Sequence, residues 1–186
     1  MSDNSPTYPF PVAVDERVVP IMVYTINGLC RGEIVFKQNL RVSTWFRSAG
    51  PNDYLKLHRS QVLLLGTGNA QTFSLPEFFI PSGQIIAAHV LPPVEEPLDY
   101  DASEPNRKME PVVALFGSFR ALIKIRMSAN SHLGHHLSTA KEIFMSVYEA
   151  EISNPAIPNM GTIRAPMMLI RPNAIYMAVK PAAPAE

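Results

Sequence analysis

Apolar and polar residues alternate with a period of two in two separate stretches of the chain. A period of two is typical of half-buried β-strands. Turn-forming sequences such as residues 81–83 and 171–173 divide each stretch into about five short strands. The residues expected to face a core are Ile26, Ile34, Phe36, Leu55, Leu57, Ile85, Ile123, Ile125, Val147 and Ile175.

The two stretches also resemble each other. Residues 22–90 align with residues 111–180 so that many apolar, glycine and proline positions coincide. Gly28 falls on Gly117, and after one inserted residue Pro76 falls on Pro166. A match of this length predicts an internal duplication, in which each copy folds as one unit.

The pattern therefore predicts an all-β protein made of two tandem small five-stranded antiparallel barrels. Five short strands with one buried face are expected to curl, and closure into a barrel removes most exposed strand edges. The expected divisions are an N-terminal arm (1–20), a first barrel (21–91), an acidic proline-rich linker (92–110), a second barrel (111–180) and a tail (181–186).

Charge is balanced overall but unevenly distributed. The chain has 16 basic and 16 acidic residues, and the acidic ones concentrate in the linker, where we expect their carboxylates to be solvated. Cys30 is the single cysteine, so no intramolecular disulfide can form, and its apolar position predicts a buried structural thiol. The repeats are only mildly basic, which is far from the charge of a typical nucleic-acid domain.

Neither a membrane protein nor an enzyme is predicted. There is no basic segment followed by an apolar run at the N-terminus, and no apolar stretch approaches the ~20 residues that span a bilayer. We expect a cytoplasmic protein. No nucleophile elbow, phosphate-binding glycine loop or paired carboxylate is present, so we expect no catalysis and no cofactor.

The strand pattern resembles the Sm-like (LSm, Hfq-like) small β-barrel. That family closes with a motif near Ile-Arg-Gly-x-x-Ile, and the corresponding segments here are Ile80–Ile85 and Ile170–Ile175. The resemblance implies a barrel scaffold that assembles through strand edges. The Asp-x-x-Met-Asn motif with which the family contacts RNA is absent from the corresponding loops, Arg41–Phe46 and Asn130–His135. The chain is also similar to uncharacterised bacterial small β-barrel domains with an Arg-Val-Ser element.

Two groups of residues are candidates for binding. Basic side chains and one tryptophan could bind single-stranded nucleic acid through phosphate contacts and base stacking. These residues are Arg41, Trp45, Arg47, Lys56 and Arg59. Imidazoles at the spacing of His132, His135 and His136 could bind zinc or copper, although an exposed polar loop is the favoured explanation.

We therefore expect a non-catalytic binding or assembly protein that mediates protein–protein contacts. Its partner would be a second copy of the chain or another protein. Two alternatives stay open at this point. One is an Sm-like ring that binds single-stranded RNA, and the other is a small enzyme with a histidine metal site.

Overall fold

The computed structural model describes residues 8–48, 50–66 and 70–180, so residues 1–7 of the expected arm and the expected tail lie outside the described residues. The strands are β1 (Glu16–Thr25), β2 (Gly28–Lys37), β3 (Tyr54–Leu65), β4 (Ala70–Pro81), β5 (Ala87–Val90), β6 (Arg107–Phe116), β7 (Phe119–Ser128), β8 (Met145–Ser153), β9 (Ile163–Ile170) and β10 (Tyr176–Val179). The helices are α1 (Val42–Ser48) and α2 (Leu133–Thr139). The all-β class is confirmed.

All ten strands belong to one antiparallel sheet in the order β10-β6-β7-β8-β9-β5-β1-β2-β3-β4. Over the described residues this sheet does not close on itself, so the expectation of two separate closed barrels is wrong. The physical reason is the position of β5. It pairs with β1 on one side, but on the other side it pairs with β9 from the second half of the chain. The two halves therefore share one sheet.

Both halves have the same order of elements: a hairpin, a short helix, a second hairpin, a 3-10 turn and a short last strand. The second half has one additional 3-10 turn, between β8 and β9. The hairpins β1–β2 and β6–β7 each connect through two residues. Gly28 and Phe119 are the first residues of β2 and β7. Gly117 lies in the turn before β7, so it does not occupy the position of Gly28, and the expected alignment is shifted there.

Gly117 has its own structural requirement. Its φ is +53°, and a Cβ at this position would lie 2.8 Å from the carbonyl oxygen of Ile26. Ile26 belongs to the turn between β1 and β2, so the tips of the first hairpins of the two halves touch. Glycine is the residue that tolerates both the left-handed backbone and this close approach.

The proline alignment agrees with the strand register. Pro76 in β4 lies opposite Arg59 in β3, and Pro166 in β9 lies opposite Glu149 in β8. The residues before and after each proline are paired with the residues on either side of its partner, which fixes this register. Arg59 and Glu149 both have a positive φ, of 46° and 49°. A proline cannot donate to the ladder. Both halves thus interrupt their second hairpin at the same place.

The first strand of each half begins earlier than expected. β1 starts inside the expected arm and β6 inside the expected linker. Each strand contains a proline, Pro20 or Pro111, whose carbonyl oxygen accepts a hydrogen bond from Leu91 or Lys180. Proline weakens the strand signal in a sequence because it lacks an N–H donor.

The core consists of two clusters, and each draws residues from both halves. The first-half cluster includes Phe144 and Leu169 from the second half. The second-half cluster includes Tyr24, Leu29 and Ala87 from the first. This exchange of apolar side chains makes the two halves one packed structure.

Most of the expected core residues are buried. Ile34, Phe36, Leu55, Leu57, Ile85, Ile123, Ile125 and Val147 all belong to the core. Ile175 is only partly buried. Ile26 is 65% exposed, because it lies in a hairpin turn and not inside a strand. Cys30 is buried as expected, and burial raises the pKa of its thiol to about 11.

The two long loops expected after β2 and β7 contain α1 and α2. Both helices are seven residues long, and no helix in the described part of the chain is long and apolar enough to cross a membrane. Val42 and Phe46, four residues apart, bury one side of α1. A spacing of four residues is typical of a helix, but in the sequence the period of two in the flanking strands dominates the pattern around α1.

Candidate functional site

The basic residues proposed for nucleic-acid binding lie in and next to α1 and on β3, and each contacts an acceptor of the chain itself. Arg41 donates to the carbonyl oxygens of Pro97 and Leu98. The guanidinium of Arg47 donates to Asp99 at 2.7 Å and to Glu142 at 2.9 Å. α1 is thereby bound to the linker and to the second half.

The remaining members of this group are also engaged. The ammonium of Lys56 lies 2.6 Å from Glu77. Arg59 forms an ion pair with Glu33. Trp45 is partly buried, and its ring lies 5.2 Å from that of Phe36 and 5.1 Å from that of Phe46, between centroids. These contacts use the charges locally, and nucleic-acid binding stays a prediction that no contact here favours.

The three histidines lie at and after the start of α2. His132 caps the helix, because its Nδ1 accepts a hydrogen bond from the backbone N–H of His135 at 3.2 Å. The rings of His132 and His135 are 6.1 Å apart between centroids. Burial, with positive charge nearby from Arg107, lowers the pKa of His136. Across the described residues, no three His, Cys, Asp or Glu side chains are arranged to hold a metal ion.

The pairing of β5 with β9 is called the joint. Ala87 faces Ile170 and Ala88 faces Leu169 across it. Arg171, directly after β9, extends the joint with three hydrogen bonds to the first half. Its backbone N–H donates to the carbonyl oxygen of Ile86 at 2.8 Å, and its guanidinium donates to those of Ile85 and Ser82.

Arg171 is also packed from the other side. Its guanidinium carbon lies 4.8 Å from the centroid of the Phe144 ring. Phe144 itself belongs to the first-half core cluster. The side chain therefore combines a cation–π contact with two hydrogen bonds in one place. In the sequence, Arg171 belongs to the predicted turn 171–173 and to the closing motif Ile170–Ile175.

The outer strands of the sheet are called the outer edges. β4 pairs only with β3, and β10 only with β6, within the described residues. Unpaired strand edges are templates for the addition of another strand. The exposed large apolar residues on these two strands are Phe73, Leu75, Phe79, Tyr176 and Val179.

The linker is attached to the fold through two acidic residues. Glu96 has a side chain only 4% exposed, and its carboxylate accepts hydrogen bonds from the backbone N–H groups of Val42 at 2.6 Å and Ser43 at 3.2 Å. Arg17 lies beside the same carboxylate, at 3.5 Å. The expectation that the linker carboxylates are solvated is therefore wrong for Glu96.

Asp99 is the second attachment. It accepts hydrogen bonds from the hydroxyl groups of Ser146 at 2.5 Å and Tyr148 at 2.6 Å, and from Arg47. Burial acts to raise the pKa of Asp99, but these hydrogen bonds outweigh it and lower the pKa below its usual value. Burial, and then the hydrogen bond to Asp99, raise the pKa of Tyr148.

Comparison with known proteins finds no matching family model, no similar curated protein and no similar solved structure. The joint, the outer edges and the linker are therefore the candidate functional features of this chain.

Proposed function

We propose that the chain is a non-catalytic assembly protein whose partner is a second copy of itself. The observation that carries this proposal is the joint. Inside one chain, the fourth strand of one half already pairs with the fifth strand of the other. The outer edges are the other fourth strand, β4, and the other fifth strand, β10. The same pairing can therefore be made between chains.

The exposure of equivalent residues on the two fourth strands, β9 and β4, supports pairing between chains. Leu169 on β9 faces Ser146, and Phe79 on β4 faces Lys56, at the same register of their hairpins. Leu169 is 4% exposed, whereas Phe79 is 52% exposed. An apolar residue at this position is covered when a fifth strand lies beside it. Phe79 would be covered in the same way by a neighbouring chain.

Equivalent residues on the two fifth strands, β5 and β10, differ in exposure in the same way. Ala87 pairs with the penultimate residue of β1, and Tyr176 with the penultimate residue of β6. Ala87 is fully buried at the joint, whereas Tyr176 is 81% exposed. By analogy with the joint, a contact between chains would place Tyr176 opposite Ile80 and Met177 opposite Phe79.

The contact between chains would be weaker than the joint. Arg171 follows Ile170 at the end of β9, whereas Pro81 follows Ile80 at the end of β4. Proline has neither an N–H donor nor a charged side chain, so the three hydrogen bonds of Arg171 have no counterpart. Such an association should depend on concentration, because separate chains combine. It should also be weak, because its contacts must offset the translational and rotational entropy lost on binding.

We further propose that the two halves arose by duplication and are Sm-like repeats. Their common element order and the pairing of a fifth strand with a fourth strand support this view. A head-to-tail contact of this kind gives a ring if the rotation closes. Three chains would then supply six repeats, the number of subunits in a six-membered Sm-like ring.

Light scattering coupled to size exclusion, over a hundredfold range of concentration, tests the proposal. We expect a mass near 20.6 kDa at low concentration and about three times this value at high concentration. A single mass near 20.6 kDa throughout the range would contradict it.

A further inference from the structure

A cleft of about 390 Å³ lies beside the joint, where β5 and β9 separate. The two strands pair at Ala87 and Ala88, and beyond Ala88 no further pair forms between them. The linker contributes Pro92 and residues 94–98 to the lining of the cleft. The apolar residues around the cleft include Ile21, Val42, Val90, Val94, Met167 and Leu169.

The walls of the cleft are held in place by contacts already described. Glu96 binds the linker to the start of α1, and Arg41 donates to two linker carbonyl groups. The opposite wall is part of β9, inside the sheet. A cavity with fixed, mainly apolar walls and a volume of a few hundred Å³ is typical of small-molecule sites.

Two polar side chains at the cleft have no partner among the described residues. The hydroxyl group of Ser43, a fully buried residue, neither donates nor accepts a hydrogen bond there. His89 also lines the cleft and is almost fully buried, and neither of its ring nitrogens has a partner. Burial lowers the pKa of His89 to about 4, so the imidazole is neutral near pH 7.

Buried polar groups without a partner are rare and unfavourable, and a site that binds a ligand is one established reason for them. Among the described residues, no lysine or arginine lines the cleft. A carboxylate or phosphate would therefore lose its hydration without gaining an ion pair. The Glu96 carboxylate already accepts two backbone hydrogen bonds and lies beside Arg17.

We propose that this cleft binds a small, mainly apolar, uncharged molecule whose single polar group exchanges a hydrogen bond with Ser43. The volume of the cleft, about 390 Å³, favours a small molecule over a peptide segment. The site lies away from the outer edges, so the proposal does not depend on assembly of the chain.

The experiment uses the full chain and N-phenyl-1-naphthylamine, an uncharged fluorescent dye with a single N–H donor. We expect saturable binding of one dye per chain. Ser43→Ala should weaken binding about three- to tenfold, which corresponds to the loss of one hydrogen bond. Val94→Trp, which fills the cleft from the linker side, should weaken it at least about tenfold.

Val14→Trp is the matched control, because Val14 is 99% exposed and lies outside the cleft. It should bind the dye as the original chain does. If Val94→Trp does not fold, Leu98→Trp at the rim takes its place. Absence of saturable binding, or full binding after the cleft is filled, overturns the proposal. Loss of binding on Phe79→Glu also overturns it, because the dye would then lie on β4.

Competition against the bound dye tests the charge of the polar group. Decanol and decanoate have chains of the same length and differ in the charge of the head group. We expect decanol to displace the dye at a lower concentration than decanoate. Stronger displacement by decanoate would overturn the assignment of an uncharged ligand.

Discussion

The guanidinium of Arg171 donates a hydrogen bond to the carbonyl oxygen of Ser82, at 2.6 Å, across the joint between the two halves of the chain. The backbone N–H of Arg171 makes another such bond, to Ile86. A single residue of the second half thus binds the segment that leads into β5. The strength of the joint should depend on this side chain.

Arg171→Ala should lower the free energy of unfolding by about 2–3 kcal/mol, because it removes two hydrogen bonds from a charged donor, one of them to the carbonyl oxygen of buried Ile85. Urea unfolding followed by circular dichroism measures this change. Arg164→Ala is the matched control, since Arg164 is exposed and pairs only with exposed Glu151. Equal effects of the two changes would show that Arg171 does not hold the halves together.

Asp99→Asn should destabilise the chain by about 2 kcal/mol at pH 7, because charge-assisted hydrogen bonds become neutral ones. The pKa of Asp99 is lower in the folded chain than in the unfolded chain. Its contribution is therefore complete above the unfolded pKa of about 4 and is lost as the pH falls through the lower folded pKa.

The difference between the original chain and Asp99→Asn should accordingly shrink below about pH 4. Urea unfolding at pH 7, 5, 4 and 3 gives the comparison. Asp53→Asn, a change at an exposed carboxylate, should have little effect at any of these values. A difference that stays constant down to pH 3 would falsify the role of the ionised carboxylate.

Phe79→Glu should keep the chain monomeric at concentrations where the original chain associates. A charged side chain on an edge strand opposes the addition of another strand. The fold should tolerate the change, because Phe79 is exposed and Lys56 lies next to it. Light scattering measures the mass. Val14→Glu adds the same charge away from the outer edges, and it should associate normally; association of both variants would exclude β4 as the contact.

Ile123→Ala should cost about 2–5 kcal/mol, the usual range for a cavity in a packed core. Ile123 is fully buried in the second-half cluster. Thermal and urea unfolding measure the loss, and Val14→Ala at an exposed position provides the comparison. A loss below about 1 kcal/mol would mean that the cluster is not packed as described.

Local patterns in the sequence predicted the approximate strands, although β1 and β6 begin earlier than expected. Alternation placed Ile34 and Ile123 in the core correctly, because one face of each strand is buried. Pro76 and Pro166 were aligned correctly because a proline imposes the same restriction on any ladder. Alternation could not separate a turn from a strand at Ile26, since a two-residue turn keeps the period of two.

The sites could be predicted only in part. Arg41, Arg47, Lys56 and Arg59 were identified as basic residues, but a sequence does not show which carboxylate or carbonyl group lies nearby. Glu96 and Asp99 were assigned to a solvated linker for the same reason. Their burial depends on contacts with α1 and β8, which are about 50 residues away in the chain.

By itself, the sequence determined the all-β class, the approximate strands, most of the core and the buried thiol of Cys30, because these follow from the alternation of neighbouring residues. Only the tertiary structure decided that β5 lies beside β9, that the linker is bound by buried carboxylates, and that β4 and β10 are left as outer edges. Strand pairing over long separations depends on which edges meet in space. Several apolar strands in the chain have the backbone groups to pair with a given strand edge. The packing of the whole sheet determines which of them does so.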